Sequence, residues 1–148
     1  MSPGEARSRF ASARVARLAT VDGAGRPHLV PMVFAVDGET IYSVVDAKPK
    51  RTTALRRLAN VRENPQVSLL VDHYDENWDA LWWVRADGRG AILPTETEAD
   101  GGRARRAVAM LAERYPQQRA IASVLAVTVE RWTGWSAGAA GAAPAPVQ

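Results

Sequence analysis

The chain has 148 residues, 47% of them hydrophobic, which suits one globular domain and excludes a largely disordered protein. It contains no cysteine, so disulfides, thiolate metal sites and cysteine nucleophiles are excluded. The net charge is only +3, no apolar run reaches about 18 residues, and the N-terminus is charged, so we expect a cytoplasmic protein without a membrane span or secretory signal.

The first half of the chain predicts a helix followed by strands. Ser2 is placed to cap the helix and Pro3 suits its first turn. Asp22-Gly23 and Asp37-Gly38 have turn chemistry between strands. The predicted elements are a helix over residues 2–13 and strands over residues 15–21, 28–36 and 41–45.

The strand over residues 28–36 is apolar on both alternating faces, which predicts burial on both sides. Pro31 lies inside it. Because proline lacks an N–H donor, it indicates an edge strand or a bulge, and the two interpretations remain open.

The second half predicts two further helices among strands. Asn64-Pro65 ends the first helix, Thr95 and Glu98 have capping-box spacing for the second, and Asp87-Gly88 is interpreted as a turn between two strands. The predicted elements are helices over residues 52–63 and 95–114 and strands over residues 67–71, 80–86, 89–93 and 123–132. Hairpins with isolated helices predict an α+β, mainly β fold with a closed or half-closed barrel. We expect a single domain over residues 1–135 and a flexible, low-complexity tail over residues 136–148.

A basic segment is the clearest functional signal. Six of the nineteen Lys and Arg residues lie between Lys48 and Arg62, where a strand gives way to a helix. Phosphate needs converging N–H donors and positive charge, which such a segment supplies. A solvated basic face is the alternative. No Walker motif or G-x-G-x-x-G sequence occurs, and the local character of the charge argues against a nucleic-acid-binding module.

Other candidate groups are weaker. The acidic stretch DHYDENWD matches no EF-hand and is expected to be a solvated loop, so no metal site is predicted. Neither His28 nor His73 has a recognisable triad partner, and no catalytic residue is identified. Trp82 and Trp83 are adjacent on a strand and therefore face opposite sides, one towards the core and one towards an interface or a ligand.

The sequence ARLATVDGAGRPHLVPMVFAVDGETIYSVVD, followed by the basic helix and NVRENPQVSLLVD, resembles the pyridoxamine 5′-phosphate oxidase-like split barrels. The segment LLVDHYDENWDALWWVRADGRG is similar to the actinobacterial branch of coenzyme F420-dependent enzymes. The resemblance implies a six-stranded antiparallel split barrel, of the type that binds FMN, with a few flanking helices. It also implies a homodimer with its cofactor at the subunit interface.

The resemblance also implies the cofactor-binding residues. The cofactor ring would lie along one strand, a neighbouring strand would line the site, and the basic segment would hold the phosphate. The residues of a partner subunit that would close the site are Trp82, Trp83, Arg85 or the pair Arg131 and Trp132. The family places a Lys three residues before the Asn of its N-x-x-x-NP motif, and Arg57 occupies that position before Asn60. The implied ring and lining residues are Val30, Pro31, Met32, Val33, Tyr42, Ser43 and Val44. The implied phosphate-binding residues are Lys48, Lys50, Arg51, Arg56, Arg57 and Asn60.

By this resemblance the protein is an oxidoreductase that transfers hydride between coenzyme F420 and a small conjugated or unsaturated substrate. An FMN-dependent oxidoreductase of the same fold is the nearest alternative. A non-enzymatic carrier of flavin, deazaflavin or haem is another. Vitamin B6 oxidation is not expected, because the Ala/Gly/Pro tail replaces the substrate-binding C-terminus of true pyridoxamine phosphate oxidases. Neither nucleic acid nor a membrane is expected as a partner.

Overall fold

The structure, a computed structural model, describes residues 1–46, 52–95, 102–117 and 121–138. The described residues form three α-helices, seven strands and one short 3-10 helix at Trp78–Ala80. The helices are α1 (Pro3–Ser12), α2 (Thr52–Glu63) and α3 (Arg103–Arg114). The strands are β1 (Ala16–Val21), β2 (Pro27–Met32), β3 (Ala35–Asp37), β4 (Thr40–Asp46), β5 (Gln66–His73), β6 (Trp82–Pro94) and β7 (Ile121–Ser136).

The seven strands form one antiparallel sheet in the order β2-β1-β5-β6-β7-β4-β3. The edge strands β2 and β3 are consecutive in the chain and are separated only by Val33 and Phe34, so the sheet curls until its edges approach each other. Leu18 of β1 and Ile41 of β4 accordingly share one buried cluster. The α+β, mainly β split barrel is confirmed. It has seven strands rather than six because the chain breaks at Val33-Phe34 between β2 and β3.

The short turns and the start of α1 agree with the sequence. The backbone N–H of Glu5 donates to the Ser2 hydroxyl at 3.2 Å, and the Ser2 N–H donates to the Glu5 carboxylate at 3.3 Å, which completes a capping box. Gly38 has a φ of 60° in the two-residue turn between β3 and β4. The helix predicted over residues 52–63 is confirmed as α2.

The turn expected at Asp87-Gly88 is wrong. β6 runs through it without interruption, and only its register against β7 shifts between these two residues. A Cβ added to Gly88 would overlap the carbonyl oxygen of Thr128. The glycine therefore permits a close approach of two backbones at a bulge, which is the other common use of glycine inside a strand.

The capping box expected at Thr95 and Glu98 is also wrong, because α3 begins only at Arg103. Gly102 precedes it with a left-handed φ of 80°, a conformation that a continuous helix does not contain. Thr95 instead follows β6, and its hydroxyl donates to the carbonyl of Ile121 at 3.3 Å. Glu98 lies outside the described residues.

Strand β2 lies at an edge of the sheet, so the edge interpretation of Pro31 is confirmed. The expectation of burial on both faces is wrong for the single chain. Val30 and Met32 pack towards the barrel core, whereas Pro31 is exposed and Leu29 is 68% exposed. The reason is that no other described element covers the outward face of this edge strand. Among the described residues, no helix is long and apolar enough to cross a membrane.

Candidate functional site

Helix α2 closes one end of the barrel. Leu58 and Val61 are buried, and a Cβ added to Gly90 of β6 would lie 3.1 Å from Val61 Cγ1. Asn60 is only 3% exposed, and its Nδ2 donates to the Thr20 hydroxyl of β1 at 3.1 Å. These contacts fix α2 on β1 and β6. They also fix the position of Arg57, which lies one turn before Asn60 on the helix.

The Nε atom of Arg57 is buried and has no hydrogen-bond partner among the described residues. Burial lowers the pKa of the Arg57 guanidinium, because removal from water disfavours the charged form. Leaving such a group without a hydrogen bond is energetically unfavourable. Arg57 therefore has the donor geometry and the charge to receive an anion.

His28 lies on the opposite side of the same corner. It stands directly across from Thr20 in the β1–β2 register, so the two side chains share the inward face. Its Nδ1 atom is also buried without a partner among the described residues. We name His28, Thr20, Asn60 and Arg57 the polar corner. Thr20 and Asn60 are hydrogen-bonded to each other, whereas His28 and Arg57 each have a buried nitrogen without a partner among the described residues.

Beside the polar corner, a groove of about 510 Å³ separates α2 from the turn between β1 and β2. Arg56 and Asn60 line it from α2, and Asp22 and Arg26 line it from the turn. Glu63 closes one side, since its carboxylate accepts the Gly23 N–H at 2.8 Å. Arg56, a predicted phosphate ligand, is exposed here and next to the corner. The predicted ligands Lys48, Lys50 and Arg51 lie outside the described residues.

The remaining predicted site residues divide between two faces of the sheet. Val30 and Met32 point into the barrel, and the Ser43 hydroxyl donates to the Val33 carbonyl at 2.7 Å. Tyr42 and Val44 instead face α3 and are buried beneath it. The Tyr42 hydroxyl accepts a hydrogen bond from Arg103 Nε at 2.8 Å.

Trp82 is not brought to the polar corner of its own chain. It packs against the barrel core near α1, with the Arg9 guanidinium 5.5 Å from its ring and His73 stacked on it at 6.1 Å. It lies eight positions before Gly90 on β6, which is about 26 Å at the usual rise of a strand. Its role as a cofactor contact from a partner subunit stays a prediction.

Beyond one tryptophan of the Trp82-Trp83 pair, sequence reasoning missed the apolar side chains that lie on the outward face of β2, β5, β6 and β7. Leu70 is 39% exposed, and its neighbours across the sheet are Arg17 and Arg85. Trp83 pairs with Trp135, whose Nε1 is buried without a partner among the described residues. The alternation of β5, with Val67, Leu69 and Val71 inward and Leu70 outward, was the signal that could have identified it. We name Leu29, Pro31, Leu70, Trp83 and Trp135 the outward face.

The acidic stretch forms a tight loop. The Asp75 carboxylate accepts the Asn77 N–H at 2.8 Å, and the Asn77 side chain accepts the Asp79 N–H at 3.1 Å. Within the described parts of the chain, no three His, Asp or Glu side chains converge as a metal site would require.

Comparisons with known proteins agree with this architecture. The sequence profile of the pyridoxamine 5′-phosphate oxidase family matches residues 2–136. No curated protein matches the sequence.

Solved structures share the fold at low sequence identity. A conserved hypothetical protein of Mycobacterium tuberculosis is 25% identical, with a TM-score of 0.72 over 100% of this chain and 92% of that one. A FAD-binding protein of Mesorhizobium loti is 23% identical, with a TM-score of 0.68 over 90% and 94% of the two chains. The heme storage protein HutZ of Vibrio cholerae is 19% identical, with a TM-score of 0.64 over 92% and 95%.

Proposed function

Because the chain belongs to the pyridoxamine 5′-phosphate oxidase family, we propose that it binds a phosphorylated flavin or deazaflavin and acts as an oxidoreductase. The finer proposal is that the cofactor is coenzyme F420 and the substrate a small conjugated or unsaturated compound. The observation that supports it most is the buried, unpartnered Nε of Arg57 on the helix that closes the barrel.

A phosphate group fits this residue. A guanidinium presents several N–H donors in one plane, and phosphate supplies oxygens that accept two of them side by side. The neighbouring Arg56 adds positive charge at the mouth of the groove. Binding would also relieve the desolvation of Arg57, since the anion restores the interactions lost with water.

The rest of the cofactor would lie towards β2. One side of this edge strand has backbone groups that do not bond to β1, and such groups can bind the polar edge of a heterocyclic ring. The bound cofactor would supply the hydride or electron transfer, and the protein would orient the ring and exclude water. Within the described residues we identify no acid–base residue with an obvious reaction partner.

The preference for coenzyme F420 over FMN rests on the similarity of residues 69–90 to the actinobacterial branch of the family. A carrier without catalysis is the second candidate, since a FAD-binding protein and a heme storage protein both have this fold. A haem carrier would need an axial ligand for the iron rather than a phosphate site, and the chain has only two histidines that could serve. Binding of haem and binding of a phosphorylated flavin therefore distinguish a haem carrier from the proposed oxidoreductase.

The first experiment is equilibrium binding of coenzyme F420, FMN, riboflavin and haem to the purified protein. We expect tight binding of F420, weaker binding of FMN and little binding of riboflavin, which lacks the phosphate. Preference for FMN would contradict the F420 proposal. Equal affinities for riboflavin and FMN would show that the phosphate does not contribute to binding. Binding of haem alone would support the carrier.

The matched variants are Arg57→Ala and Arg62→Ala, which remove arginines from the same helix. Arg62 is exposed, so its loss should leave affinity unchanged. Loss of Arg57 should weaken F420 or FMN binding by about 10-fold to 100-fold, since a charge-assisted hydrogen bond contributes about 1.5–3 kcal/mol. Equal affinities in the two variants would exclude Arg57 from the site.

We also propose a homodimer that covers the outward face. An exposed Leu29 and a buried indole N–H without a partner are both unfavourable in a lone subunit and are suited to a second copy. Leu29→Asp should shift the sedimentation profile from dimer towards monomer. Tyr74→Asp changes a side chain that is 64% exposed on the acidic loop, and it should leave the profile unchanged. A persistent Leu29→Asp dimer would place the interface elsewhere.

A further inference from the structure

We propose that His28 is a second binding residue for the anionic group, and that its protonated imidazole donates from Nδ1 to the oxyanion that Arg57 holds. This inference rests on the proposed function only in taking the anion to be a phosphate of the cofactor. His28 is not among the cofactor-binding residues predicted from the sequence.

The first step is geometric. Residues directly opposite in an antiparallel pair have Cα atoms about 4.5–5.5 Å apart, so His28 lies beside Thr20. Thr20 is hydrogen-bonded to Asn60 at 3.1 Å, and Asn60 and Arg57 are neighbours at i and i+3 on α2. His28 on β2 and Arg57 on α2 therefore each lie one step from the same hydrogen bond.

The second step is chemical. Each of the two residues has one buried nitrogen without a partner among the described residues, and the two nitrogens belong to groups that can be donors. Thr20 and Asn60 are only 1% and 3% exposed and already bonded to each other, so they form the wall of the corner. One oxyanion would satisfy both unused nitrogens, and a buried site with two unsatisfied donors is otherwise unfavourable.

The third step concerns charge. The charged side chains that line the groove beside the polar corner are Arg56 and Glu63 from α2 and Asp22 and Arg26 from the turn between β1 and β2. Asp22 and Arg26 are paired at 3.0 Å, and Glu63 accepts the Gly23 N–H at 2.8 Å, so both carboxylates are directed towards the turn. Proton uptake by His28 is then coupled to the arrival of an anion, and the anion should bind more weakly as pH rises and the imidazole loses its proton.

The chain provides its own control, because it has only two histidines. His73 lies on β5, where it stacks on Trp82 and has Asp75 at 3.7 Å. Imidazole NMR signals of both residues can be followed from pH 5 to pH 9 without ligand, with inorganic phosphate and with FMN. We expect either ligand to move the titration midpoint of His28 upwards by about one pH unit and to leave that of His73 in place.

Three variants complete the test. Arg57→Ala should abolish the ligand-induced shift of the His28 midpoint, and Arg62→Ala should retain it. In the wild type, FMN affinity should fall about tenfold between pH 6 and pH 8.5, and His28→Asn should remove this dependence on pH. His28→Asn keeps a polar group near the position of Nδ1 but cannot take up a proton, and urea unfolding checks that the variant is folded. Riboflavin, without a phosphate, should move neither histidine.

The outcomes separate this proposal from the proposed function. If FMN or F420 binds in an Arg57-dependent manner while the His28 midpoint stays fixed, the role of His28 is overturned and the cofactor proposal stands. If inorganic phosphate moves His28 but no flavin binds, the anion site stands and the cofactor proposal fails. A fixed midpoint with every ligand overturns the role of His28.

Discussion

The two ends of the barrel differ in how their polar groups are satisfied. Near α1, Glu39 accepts hydrogen bonds from both Arg7, at 2.6 Å, and the Trp132 indole, at 2.8 Å. Phe10 is fully buried there, with its ring 4.9 Å from Phe34 and 5.4 Å from Trp132. All of these contacts are made within the chain, and none of them needs a further group.

The α2 end is incomplete. Asn60 and Thr20 satisfy each other, but Arg57 Nε and His28 Nδ1 have no partner among the described residues. Buried polar groups in native proteins are nearly always hydrogen-bonded. The polar groups described at the α1 end are thus satisfied within the chain, whereas two at the α2 end, where we propose that a cofactor binds, are not. Each variant below should affect one end more than the other.

The largest expected effect is on stability at the α1 end. Phe10→Ala removes a fully buried ring and should lower the free energy of unfolding by about 3–5 kcal/mol. Urea unfolding measures the change. Cofactor affinity of the folded variant should equal that of the wild type, since α2 and its contacts are untouched. A large loss of affinity at full folding would show that the two ends are coupled.

At the α2 end the same kind of change should act in the opposite direction. Arg57→Leu replaces an unpartnered guanidinium with an apolar side chain, so the protein without cofactor should become more stable by about 1–2 kcal/mol. Cofactor affinity should fall by about 10-fold to 100-fold, as for Arg57→Ala. Arg62→Leu is the control, because an exposed arginine should change neither quantity. Destabilisation by Arg57→Leu would mean that Arg57 supports the fold rather than a ligand.

Sequence reasoning recovered the fold where the signal was local. The Ser2 cap, the Gly38 turn and the bounds of α2 all depend on residues close in the chain. Gly88 was misinterpreted because a turn and a bulge both use glycine, and only the approach of Thr128, forty residues away, distinguishes them.

The candidate site follows the same division. The basic segment and Arg57 could be recognised from charge and from family resemblance, whereas the pairing of His28 with Thr20 depends on strand register. The orientation of Tyr42 towards α3 depends on which sheet face that helix covers. Neither property is written in local sequence.

A smaller effect is expected at the start of α1. Ser2→Ala removes the hydroxyl that accepts the Glu5 N–H and should cost about 1 kcal/mol, a typical value for a helix cap. Ser12→Ala, at the other end of the helix, is a suitable comparison in the same unfolding experiment. Equal and negligible changes would mean that α1 is held by Phe10 alone.

The smallest effect should appear only with pH, in the turn that borders the groove. The Arg26 backbone N–H is the main cause that lowers the pKa of Asp22 below its ordinary value of 3.8, with further help from the Arg26 guanidinium and the Ala24 N–H. A carboxyl with a lowered folded pKa stabilises the protein above the unfolded value and loses that contribution as pH falls through the folded value.

Wild type and Asp22→Asn should therefore differ in urea midpoint at pH 7 and converge as the pH falls below 3.8. A gap that stays constant with pH would show that the carboxylate charge is irrelevant to the turn. Since Asp22 lines the same groove as Asn60, cofactor affinity of this variant at pH 7 then measures how much the site depends on the turn that borders it. Unchanged affinity would confine the binding determinants to α2 and β2.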